Sequence, residues 1–318
     1  MRNNGSRVET DATMAFIVGH YKSGSTWLSN LLSLHPDIRC VGETSIFPYV
    51  TTCSDFRECT DNLFTKSFWS EGGLRGLPRH RLSKWATPVR KLWKPRLKAE
   101  ERPTTLMDLS VFSQLKLRRT LLQSSSKEEY CLRFFDFLME SFRPKAFLIE
   151  KNNNISHVPF IRSIFPKAKL LAIHRDGRDV VVSEKFFLAN TEGRTNSLRD
   201  SIRDWRNKME ADRKYTTEYG IYSCSYESLL RDGEATVKGI LGFLDLPADR
   251  ATIDDMLRRS SFKFTTGRDN GREQSTSFYR KGIAGDWTNH FSQADKDVFK
   301  ELAGDMLVEL GYERDLAW

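Results

Sequence analysis

Residues 16–27 read Phe16-Ile17-Val18-Gly19-His20-Tyr21-Lys22-Ser23-Gly24-Ser25-Thr26-Trp27: an apolar strand, a glycine-bracketed turn and the start of a helix. Such a turn binds anions, because its glycines let the backbone approach a ligand while amide N–H groups and the positive end of the helix face it. The nucleotide-hydrolysing P-loop carries its lysine after the second glycine. Here Ser25 follows Gly24 and the lysine is Lys22, so the spacing predicts a phosphate site and argues against ATP or GTP.

Length and composition predict one large domain. The chain has 318 residues, of which 39% are hydrophobic and 29% charged, and a chain of this size can bury a substantial core. We expect a flexible N-terminal segment over residues 1–13 and a single domain over 14–318, with a basic, irregular insertion at about 50–105. No apolar run approaches the ~20 residues that cross a bilayer, and residues 1–13 lack a signal-peptide core. We therefore expect no transmembrane segment.

The cysteines are odd in number, which favours reduced thiols in a chain too large to need disulfides. They are Cys40, Cys53, Cys59, Cys131 and Cys224. A local bridge between Cys53 and Cys59 stays open on spacing alone. No Cys/His spacing resembles a zinc site, so we expect no metal, and we interpret His20, His35 and His174 as loop and core residues.

The net charge of +8 is unevenly distributed. Residues 74–99 carry nine Lys/Arg side chains, no Asp or Glu, and two tryptophans, Trp85 and Trp93. A solvated basic surface is the ordinary explanation of such a run. The functional alternative is a docking surface for an acidic acceptor, a carrier domain or a phospholipid headgroup. We do not expect nucleic acid as a partner, because no recognised binding motif accompanies the run.

Hydrophobic periodicity predicts alternating strands and helices. The predicted strands are Met14–Gly19, Ala146–Ile149, Lys169–His174 and Ile221–Ser225. The predicted helices are Ser25–Leu34, a helical hairpin over Leu106–Arg143, Val158–Ile164, Asp176–Ala189, Ser197–Glu218, Ala235–Leu244 and Ala294–Leu310, with irregular stretches at Pro48–Arg102 and Ser260–His290. This alternation indicates an α/β fold, a three-layer sandwich with a central, mainly parallel sheet and a P-loop-like turn.

A second group of candidate residues follows the predicted strand that ends at His174. The sequence there is His174-Arg175-Asp176-Gly177-Arg178-Asp179-Val180-Val181-Val182-Ser183. Ligands of open α/β sheets bind beyond the carboxyl ends of the strands, so Arg175 is expected to face the same crevice as the first turn. Ser183 lies about two helical turns further on, where its hydroxyl could share the anion of Arg175. The structural alternative is an Arg175–Asp176 ion pair with Ser183 as a packing residue.

A third group lies in the run Phe278-Tyr279-Arg280-Lys281-Gly282-Ile283-Ala284-Gly285-Asp286-Trp287. Two glycines beside an Arg-Lys pair can form an anion-binding nest, with amide groups inside and side-chain charges around it. An isolated Arg-Lys-Gly would be a weak signal. The motif becomes informative because it follows two other candidate anion-binding motifs in the same chain.

Together the three groups resemble, in chain order, the sulfotransferases that use 3′-phosphoadenosine 5′-phosphosulfate (PAPS), over Met14 to about Phe291. The first turn resembles their Pro-Lys/Arg-Ser-Gly-Thr-Thr pattern, with Tyr21 at the usual proline, and the third group their Arg-Lys-Gly-x-x-Gly-Asp-Trp segment. The resemblance implies that PAPS, or its product PAP, is bound by Lys22, Ser23, Gly24, Ser25, Thr26, Trp27, Arg175, Ser183, Arg280, Lys281 and Gly282. It also implies that Tyr226 and Phe262 contact adenine.

The resemblance also bears on the catalytic residues. Leu34–Thr44 is similar to a segment of the tyrosylprotein sulfotransferases in which the glutamate matching Glu43 is the general base. Cytosolic members instead use a histidine two residues after a lysine that corresponds to Lys151, and that position is Asn153 here. The catalytic set implied is Lys22, Glu43 and Lys151, with His20 and His157 as reserve candidates for the base.

The similarity to the tyrosylprotein group is incomplete at one cysteine. In that group the cysteine that matches Cys40 forms a disulfide with a second cysteine. The resemblance implies that the position of this second cysteine is occupied by Glu150 here. The missing disulfide favours a reducing, cytoplasmic location. A catalytic fragment of a Golgi-lumenal enzyme is the alternative.

The activity implied is in-line transfer of a sulfuryl group from PAPS to a hydroxyl or amine acceptor. We expect the acceptor pocket between Pro48 and Arg143, and the acceptor itself stays open among carbohydrates, lipids, peptidyl tyrosine, natural products and carrier-bound intermediates. A P-loop-type nucleotide kinase and a non-catalytic PAPS- or PAP-binding protein are the alternative functions. The sequence leaves the oligomeric state open.

Overall fold

The computed structural model describes residues 13–69, 102–104 and 106–318. Thr13 is the first residue of a strand, so the predicted flexible segment would have to end before it. The expectations for residues 1–12 and for the basic run at 74–99 lie outside the described residues.

The centre of the described structure is a parallel sheet of five strands. They are β1 (Thr13–Gly19), β2 (Ile38–Val41), β3 (Phe147–Lys151), β4 (Lys169–His174) and β5 (Tyr222–Ser225). The order across the sheet is β2-β3-β1-β4-β5, and every pairing is parallel. The predicted α/β fold with a central parallel sheet is therefore confirmed. Because the strands are parallel, β1, β3 and β4 all end at one edge.

Helices cover both faces of the sheet. The described helices are α1 (Ser25–Leu32), α2 (Ile46–Thr52), α3 (Phe56–Trp69), α4 (Val111–Leu121), α5 (Lys127–Phe142), α6 (Val158–Ile164), α7 (Gly177–Glu192), α8 (Leu198–Tyr219), α9 (Tyr226–Arg231), α10 (Gly233–Phe243), α11 (Arg250–Ser260), α12 (Phe262–Thr266) and α13 (Gln293–Glu309). Alternate residues of β1 point to opposite faces. Phe16 belongs to the core that includes α2, α5 and α6, and Ile17 to the core that includes α1, α10 and α11.

A third buried cluster joins α7, α8 and α13 around Trp205. The indole of Trp205 is fully buried and donates a hydrogen bond from Nε1 to the carbonyl of Arg175 at 3.2 Å. Its ring also fills the space beside Gly177, where an added Cβ would lie only 2.4 Å from Trp205 Cδ2. The cluster thus fixes the chain where β4 passes into α7, directly after Arg175.

The structure differs from the sequence prediction in the region predicted to be irregular. Helices α2 and α3 occupy much of residues 46–69. Pro48 indicated irregular structure, but it lies in the first turn of α2, where proline is tolerated because the first amide groups of a helix have no intrahelical partner. Strand β2 was also absent from the prediction, since four residues are too few to show a clear period. Helices α11 and α12 lie where the sequence indicated no definite helix.

All five cysteines are buried free thiols in the described structure, including Cys53 and Cys59. Cys40 lies opposite Ile149 in the β2–β3 register, while Glu150 lies opposite Val41. Adjacent strand residues point to opposite faces, so the side chains of Cys40 and Glu150 do not face each other across the two strands. Isoleucine at position 149 likewise cannot form that bond.

Candidate active site

The turn between β1 and α1 has the backbone that its glycines predict. Gly24 precedes α1 with φ 101°, a left-handed conformation that glycine adopts at little cost. An added Cβ would lie 2.8 Å from Cδ2 of Tyr226, so the turn is packed directly against that ring. Lys22 also has a positive φ, 66°. The turn therefore presents the first amide groups of α1 toward the edge where β1, β3 and β4 end.

A cavity of about 490 Å³ lies at that edge. Its lining includes Lys22, Gly24, Ser25, Thr26, Trp27, Glu43, Lys151, Arg175, Ser183, Tyr226, Phe262, Arg280, Lys281 and Gly282. These residues come from all three sequence groups, from β3, α9 and α12, and, for Glu43, from the loop after β2. Ser23, the remaining predicted site residue, is fully buried and is not part of the lining. The volume lies in the range of small-molecule sites, about 300–1,000 Å³.

Arg175 is held at the carboxyl end of β4 by contacts on several sides. Its Nη2 donates to the carbonyl of Ile283 at 2.9 Å and to Asp179 Oδ2 at 3.3 Å, and its guanidinium carbon lies 4.3 Å from the ring centre of Tyr226. Its Nε is buried without a hydrogen-bond partner among the described residues. The structural alternative of an Arg175–Asp176 pair is not observed, because Asp176 pairs with Arg178 at 2.7 Å.

Asp179 connects the start of α7 to the third sequence group. Its carboxylate accepts backbone hydrogen bonds from Gly285 at 2.8 Å and Trp287 at 2.9 Å. Burial raises the pKa of Asp179, although the neighbouring Arg175 guanidinium opposes that effect. The buried carboxylate therefore fixes residues 285–287 beside the arginine.

The two cations of the third group share one buried carboxylate. Lys281 Nζ lies 2.5 Å from Asp286 Oδ1, Arg280 donates to Asp286 Oδ2, and Arg280 also pairs with Glu273 at 2.9 Å. Burial alone would raise the pKa of Asp286, but hydrogen bonds from Lys281, Arg280 and Asn289 outweigh it and hold that pKa well below its ordinary value. Asp286 is 1% exposed.

Arg268 and Asn270 hold the backbone of the same segment, and the sequence analysis did not identify either. Arg268 donates to the carbonyls of Tyr279 and Arg280, and Asn270 donates to the carbonyl of Gly282 at 2.7 Å. Gly282 has φ 67°, and an added Cβ would lie 2.4 Å from the Phe262 ring. No motif in the sequence marks these contacts, because they depend on how the loop folds back on itself.

The other half of the cavity contains a hydrogen-bonded cluster around Glu43. Lys151 Nζ lies 3.3 Å from Glu43 Oε2 and donates to Thr26 Oγ1 at 3.3 Å. Asn153 Nδ2 donates to the same glutamate oxygen at 2.6 Å, and Ser25 Oγ donates to Asn153 Oδ1 at 2.6 Å. The Glu43 side chain is 47% exposed and that of Lys151 only 12%. The cluster joins a solvent-accessible carboxylate to the turn between β1 and α1.

Lys22 lies among aromatic rings. Its Nζ is 3.2 Å from the ring centre of Phe187, 4.7 Å from that of Tyr21 and 4.9 Å from that of Phe278. Burial and, next, the charge of Lys151 lower the pKa of Lys22 well below its ordinary value. The ring faces attract the ammonium, and the sequence motif alone gave no sign of them.

The two reserve histidines lie outside the cavity lining. His20 is buried, and its Nε2 contacts Asp204 Oδ2 at 3.1 Å while Nδ1 lies 2.5 Å from the carbonyl of Tyr21. His157 contacts Asn152 and Asn154, and burial followed by the charge of Lys208 lowers its pKa. Glu43 is thus the one carboxylate or imidazole among the residues that line the described cavity.

The described residues contain no group of three or more His, Cys, Asp or Glu side chains arranged to hold a metal ion. None of the helices in this part of the chain combines the length and the apolar character required to cross a membrane.

Several known proteins are similar to this chain. Sulfotransferase 2A6 of Mus musculus is 28% identical over 178 residues, which cover 48% of this chain and 62% of that protein. A 3-beta-hydroxysteroid sulfotransferase of Cavia porcellus is 28% identical, with 46% and 60% coverage. Protein-tyrosine sulfotransferase 1 of Danio rerio is 22% identical, with 95% and 73% coverage. The chain spans about three fifths of the length of the first two relatives.

Solved structures show the same fold. The sulfotransferase domain of the Synechococcus PCC 7002 olefin synthase has a TM-score of 0.55 at 16% identity, with 95% of this chain and 97% of that one covered. Mouse sulfotransferase SULT7A1 complexed with PAP has a TM-score of 0.54 at 14% identity, with 93% and 84% coverage. The sequence pattern of the Sulfotransferase family matches residues 15–250, which confirms the resemblance found in the sequence. The chain belongs to the sulfotransferase family.

Proposed function

We propose that this protein transfers a sulfuryl group from PAPS to a hydroxyl acceptor. One observation carries the proposal: a single cavity joins two clusters of cationic side chains to an accessible carboxylate, Glu43, that is paired with Lys151. A compound with phosphate groups at both ends needs two such clusters, and proton removal from an acceptor needs a base beside one of them. The similar mouse structure was solved with PAP, the product that such a transfer would release.

We assign the nucleotide to the cationic residues by their positions. Arg175, Ser183, Arg280, Lys281 and the amide of Gly282 would bind the 3′-phosphate. The unpartnered Nε of Arg175 supports this assignment, because a buried N–H group without a partner is costly and a phosphate oxygen would satisfy it.

The remaining nucleotide contacts are assigned to the first turn and the aromatic residues. Lys22, the backbone of Ser23 and Gly24, the hydroxyls of Ser25 and Thr26, and Trp27 would bind the 5′-phosphosulfate end, while Tyr226 and Phe262 would contact adenine. Trp27 and Tyr226 lie edge to face with ring centres 5.4 Å apart, an arrangement that supports an aromatic subsite beside the turn. No residue in this assignment requires a metal ion.

The chemistry assigned to this chain is removal of one proton and stabilisation of charge. Glu43 would accept the acceptor's hydroxyl proton while the acceptor oxygen forms its bond to sulfur and the bond from sulfur to the bridging phosphate oxygen breaks. Lys22, Lys151 and the amides of residues 24–26 would stabilise the negative charge that develops on that departing oxygen. Such preorganised donors contribute roughly 3–4 kcal/mol each, and a general base contributes about a hundred-fold or more.

The acceptor class and the compartment are narrower proposals. Relatives are named for hydroxysteroids and for protein tyrosine, and both carry a hydroxyl group, which supports a hydroxyl acceptor. The aromatic rings of Tyr21, Phe187 and Phe278 line the cavity near Lys22 and suit an apolar or aromatic acceptor. None of the described residues between Pro48 and Arg143, where the sequence placed the acceptor pocket, lines this cavity. The buried, unpaired cysteines support a reducing compartment, the cytoplasm.

The proposal is tested by Glu43→Gln, with Glu128→Gln on the exposed surface of α5 as the matched control. Labelled PAPS is incubated with a panel of hydroxyl acceptors and transfer is followed by mass spectrometry. We expect kcat to fall about a hundred-fold or more in Glu43→Gln, with PAP affinity by calorimetry within about threefold of the unsubstituted protein. The control variant Glu128→Gln should keep both the kcat and the PAP affinity of the unsubstituted protein.

Two outcomes would refute the proposed activity. Turnover of ATP that exceeds any turnover of PAPS would identify a kinase instead, and PAP binding without transfer to any acceptor would favour a non-catalytic binder. Equal transfer by Glu43→Gln would leave the activity standing and show that another group is the base.

A further inference from the structure

We propose that Asn153 is a positioning residue that holds the carboxylate of Glu43 in a fixed place relative to the anion-binding turn. The inference rests on the proposed function and adds a residue to it. Asn153 follows β3, and its backbone position is fixed because the preceding amide, that of Asn152, donates to the carbonyl of Ile17 in β1 at 2.7 Å. The side chain therefore projects from the rigid edge of the sheet.

Both ends of the Asn153 amide are used. Nδ2 donates to Glu43 Oε2 at 2.6 Å, and Oδ1 accepts from Ser25 Oγ at 2.6 Å. The orientation follows from chemistry, because an ionised carboxylate can only accept hydrogen bonds and must therefore face the NH₂ group. The amide thus links the Glu43 carboxylate to Ser25, the first residue of α1, which directly follows the proposed anion-binding turn.

The position of Glu43 needs this link. Its side chain is half exposed, and its ion pair with Lys151 at 3.3 Å is a contact with a flexible ammonium that has little directional preference. Asn153 and Lys151 both contact Oε2, and no hydrogen bond within the described part of the chain is formed to Oε1. Holding one oxygen with two donors leaves the other oxygen free for the acceptor proton. A base held in this way reacts faster than a mobile one, because less orientation must be acquired.

A positioning role and a merely structural role differ in the kinetic constant that they change. Asn153→Ala removes the donor to Glu43 but none of the cationic residues assigned to the nucleotide, so kcat should fall while KM for PAPS is kept. Asn153→Asp keeps the shape of the side chain but places an acceptor where the NH₂ donor was, so it should not restore kcat. A merely structural role would change kcat and KM together.

The test compares Asn153→Ala and Asn153→Asp with Asn154→Ala. Asn154 is a neighbouring asparagine that lies outside the cavity lining and accepts from the amide of Ser156 at 3.1 Å, so it controls for general loss of structure. We expect kcat to fall about 10- to 100-fold in both Asn153 variants. In Asn153→Ala, PAP affinity and KM for PAPS should stay within about threefold, whereas the carboxylate of Asn153→Asp lies against Ser25 and should also weaken nucleotide binding. Asn154→Ala should keep kcat and KM.

A second readout does not depend on turnover. Carbon-13 NMR of the glutamate side-chain carboxyls, with the Glu43 signal assigned by its loss in Glu43→Gln, reports directly on the surroundings of that carboxylate. We expect the chemical shift of the Glu43 signal to change in both Asn153 variants and to stay unchanged in Asn154→Ala, because only the Asn153 variants lose the donor to Oε2. An unchanged signal in both Asn153 variants overturns the positioning role, as does an unchanged kcat. Absence of transfer by the unsubstituted protein would refute the proposed function instead, and the NMR signal would still decide the contact.

Discussion

At Gly24 the backbone and the neighbouring ring exclude any side chain. The residue has φ 101°, and an added Cβ would lie 2.8 Å from Tyr226 and 3.4 Å from Ile173 Cδ1. Both the strain and the contact act on the turn that carries the first amides of α1. A substitution here should therefore affect folding stability and nucleotide binding together.

We expect Gly24→Ala to lower the free energy of unfolding by about 1–3 kcal/mol and to weaken PAP binding at least about ten-fold. Urea denaturation and calorimetry measure the two effects. Gly242→Ala in the last turn of α10 is the matched control, because nothing lies within 4 Å of an added Cβ there, and alanine in place of a helical glycine should stabilise by up to about 1 kcal/mol. Equal behaviour of the two variants would show that the turn accepts a side chain.

Lys22 should make nucleotide binding depend on pH. Burial and the charge of Lys151 lower its pKa, so in the free protein it loses its proton below the ordinary value of 10.5, whereas a bound anion favours the charged form. PAP affinity should therefore fall as pH rises toward that value. Lys22→Arg should show a flatter dependence, because a guanidinium stays protonated. Calorimetry between about pH 7 and 10 checks this, and parallel curves for the two proteins would contradict it.

Among the elements, the segment 278–287 depends on one buried carboxylate. Asp286 pairs with Arg280 and Lys281, and Arg268 and Asn270 hold the backbone of the same segment. Removing the charge of Asp286 would leave two cations without their shared buried partner, and such losses are strongly destabilising. We therefore expect segment 278–287 to unfold locally before the rest of the domain unfolds.

We expect Asp286→Asn to lower the free energy of unfolding by about 3 kcal/mol near neutral pH and to weaken PAP binding at least about ten-fold. Because the pKa of Asp286 is lowered in the folded protein, its ionised carboxylate adds to the free energy of unfolding at pH values above its ordinary pKa of 3.8. That added stability is lost as pH falls through the lower, folded pKa. The difference in the free energy of unfolding between Asp286→Asn and the unsubstituted protein should therefore become smaller at acidic pH. Asp297→Asn, at an exposed position of α13, is the control. A constant difference at all pH values would argue against the ion pairs.

The long or strongly apolar elements could be predicted from the sequence, and the short ones could not. Strands β1 and β4 are apolar runs followed by glycine or arginine, and both were predicted with nearly their observed bounds. Strand β2 has four residues, one of them Arg39, and forms because β3 offers it a pairing edge. Helix α2 contains a proline in its first turn. Both depend on tertiary context that local patterns do not contain.

In the candidate site, too, some residues could be predicted from local sequence patterns and others could not. Its three groups could be found because glycines and cations lie close together in the sequence. Asn153 could not be identified as a partner of Glu43, since 110 positions separate them and only the order β2-β3-β1 brings their strands together. The ring of Phe187 over Lys22 is a similar case, because helix α7 supplies it from a distant part of the chain.

At the scale of the whole molecule, the partly buried His174 and the buried Glu150 make stability depend on pH in opposite directions. Burial lowers the pKa of His174 to about 4, from 6.5, so stability is lost as pH falls through this window, where the unfolded chain binds more protons. Burial raises the pKa of Glu150 from 4.5 to about 8, although a hydrogen bond from Thr44 opposes that effect. Its Oε2 is buried without a partner among the described residues. Stability is therefore lost as pH rises from 4.5 toward 8.

Glu150→Gln should remove the alkaline part of this dependence. Glutamine keeps an oxygen for the Thr44 hydroxyl, which lies 3.0 Å from Glu150 Oε1, but it does not ionise. We expect the variant to gain stability over the unsubstituted protein by up to about 1.4 kcal/mol per pH unit across the window, with curves that meet near pH 4.5, the ordinary pKa. Urea unfolding at about pH 5, 7 and 9 measures the gap, and Glu128→Gln should show none. A constant gap would mean that the carboxyl titrates over the same pH range in the folded and the unfolded protein. A loss of stability of the variant at about pH 9 would mean that the Glu150 charge is stabilised there.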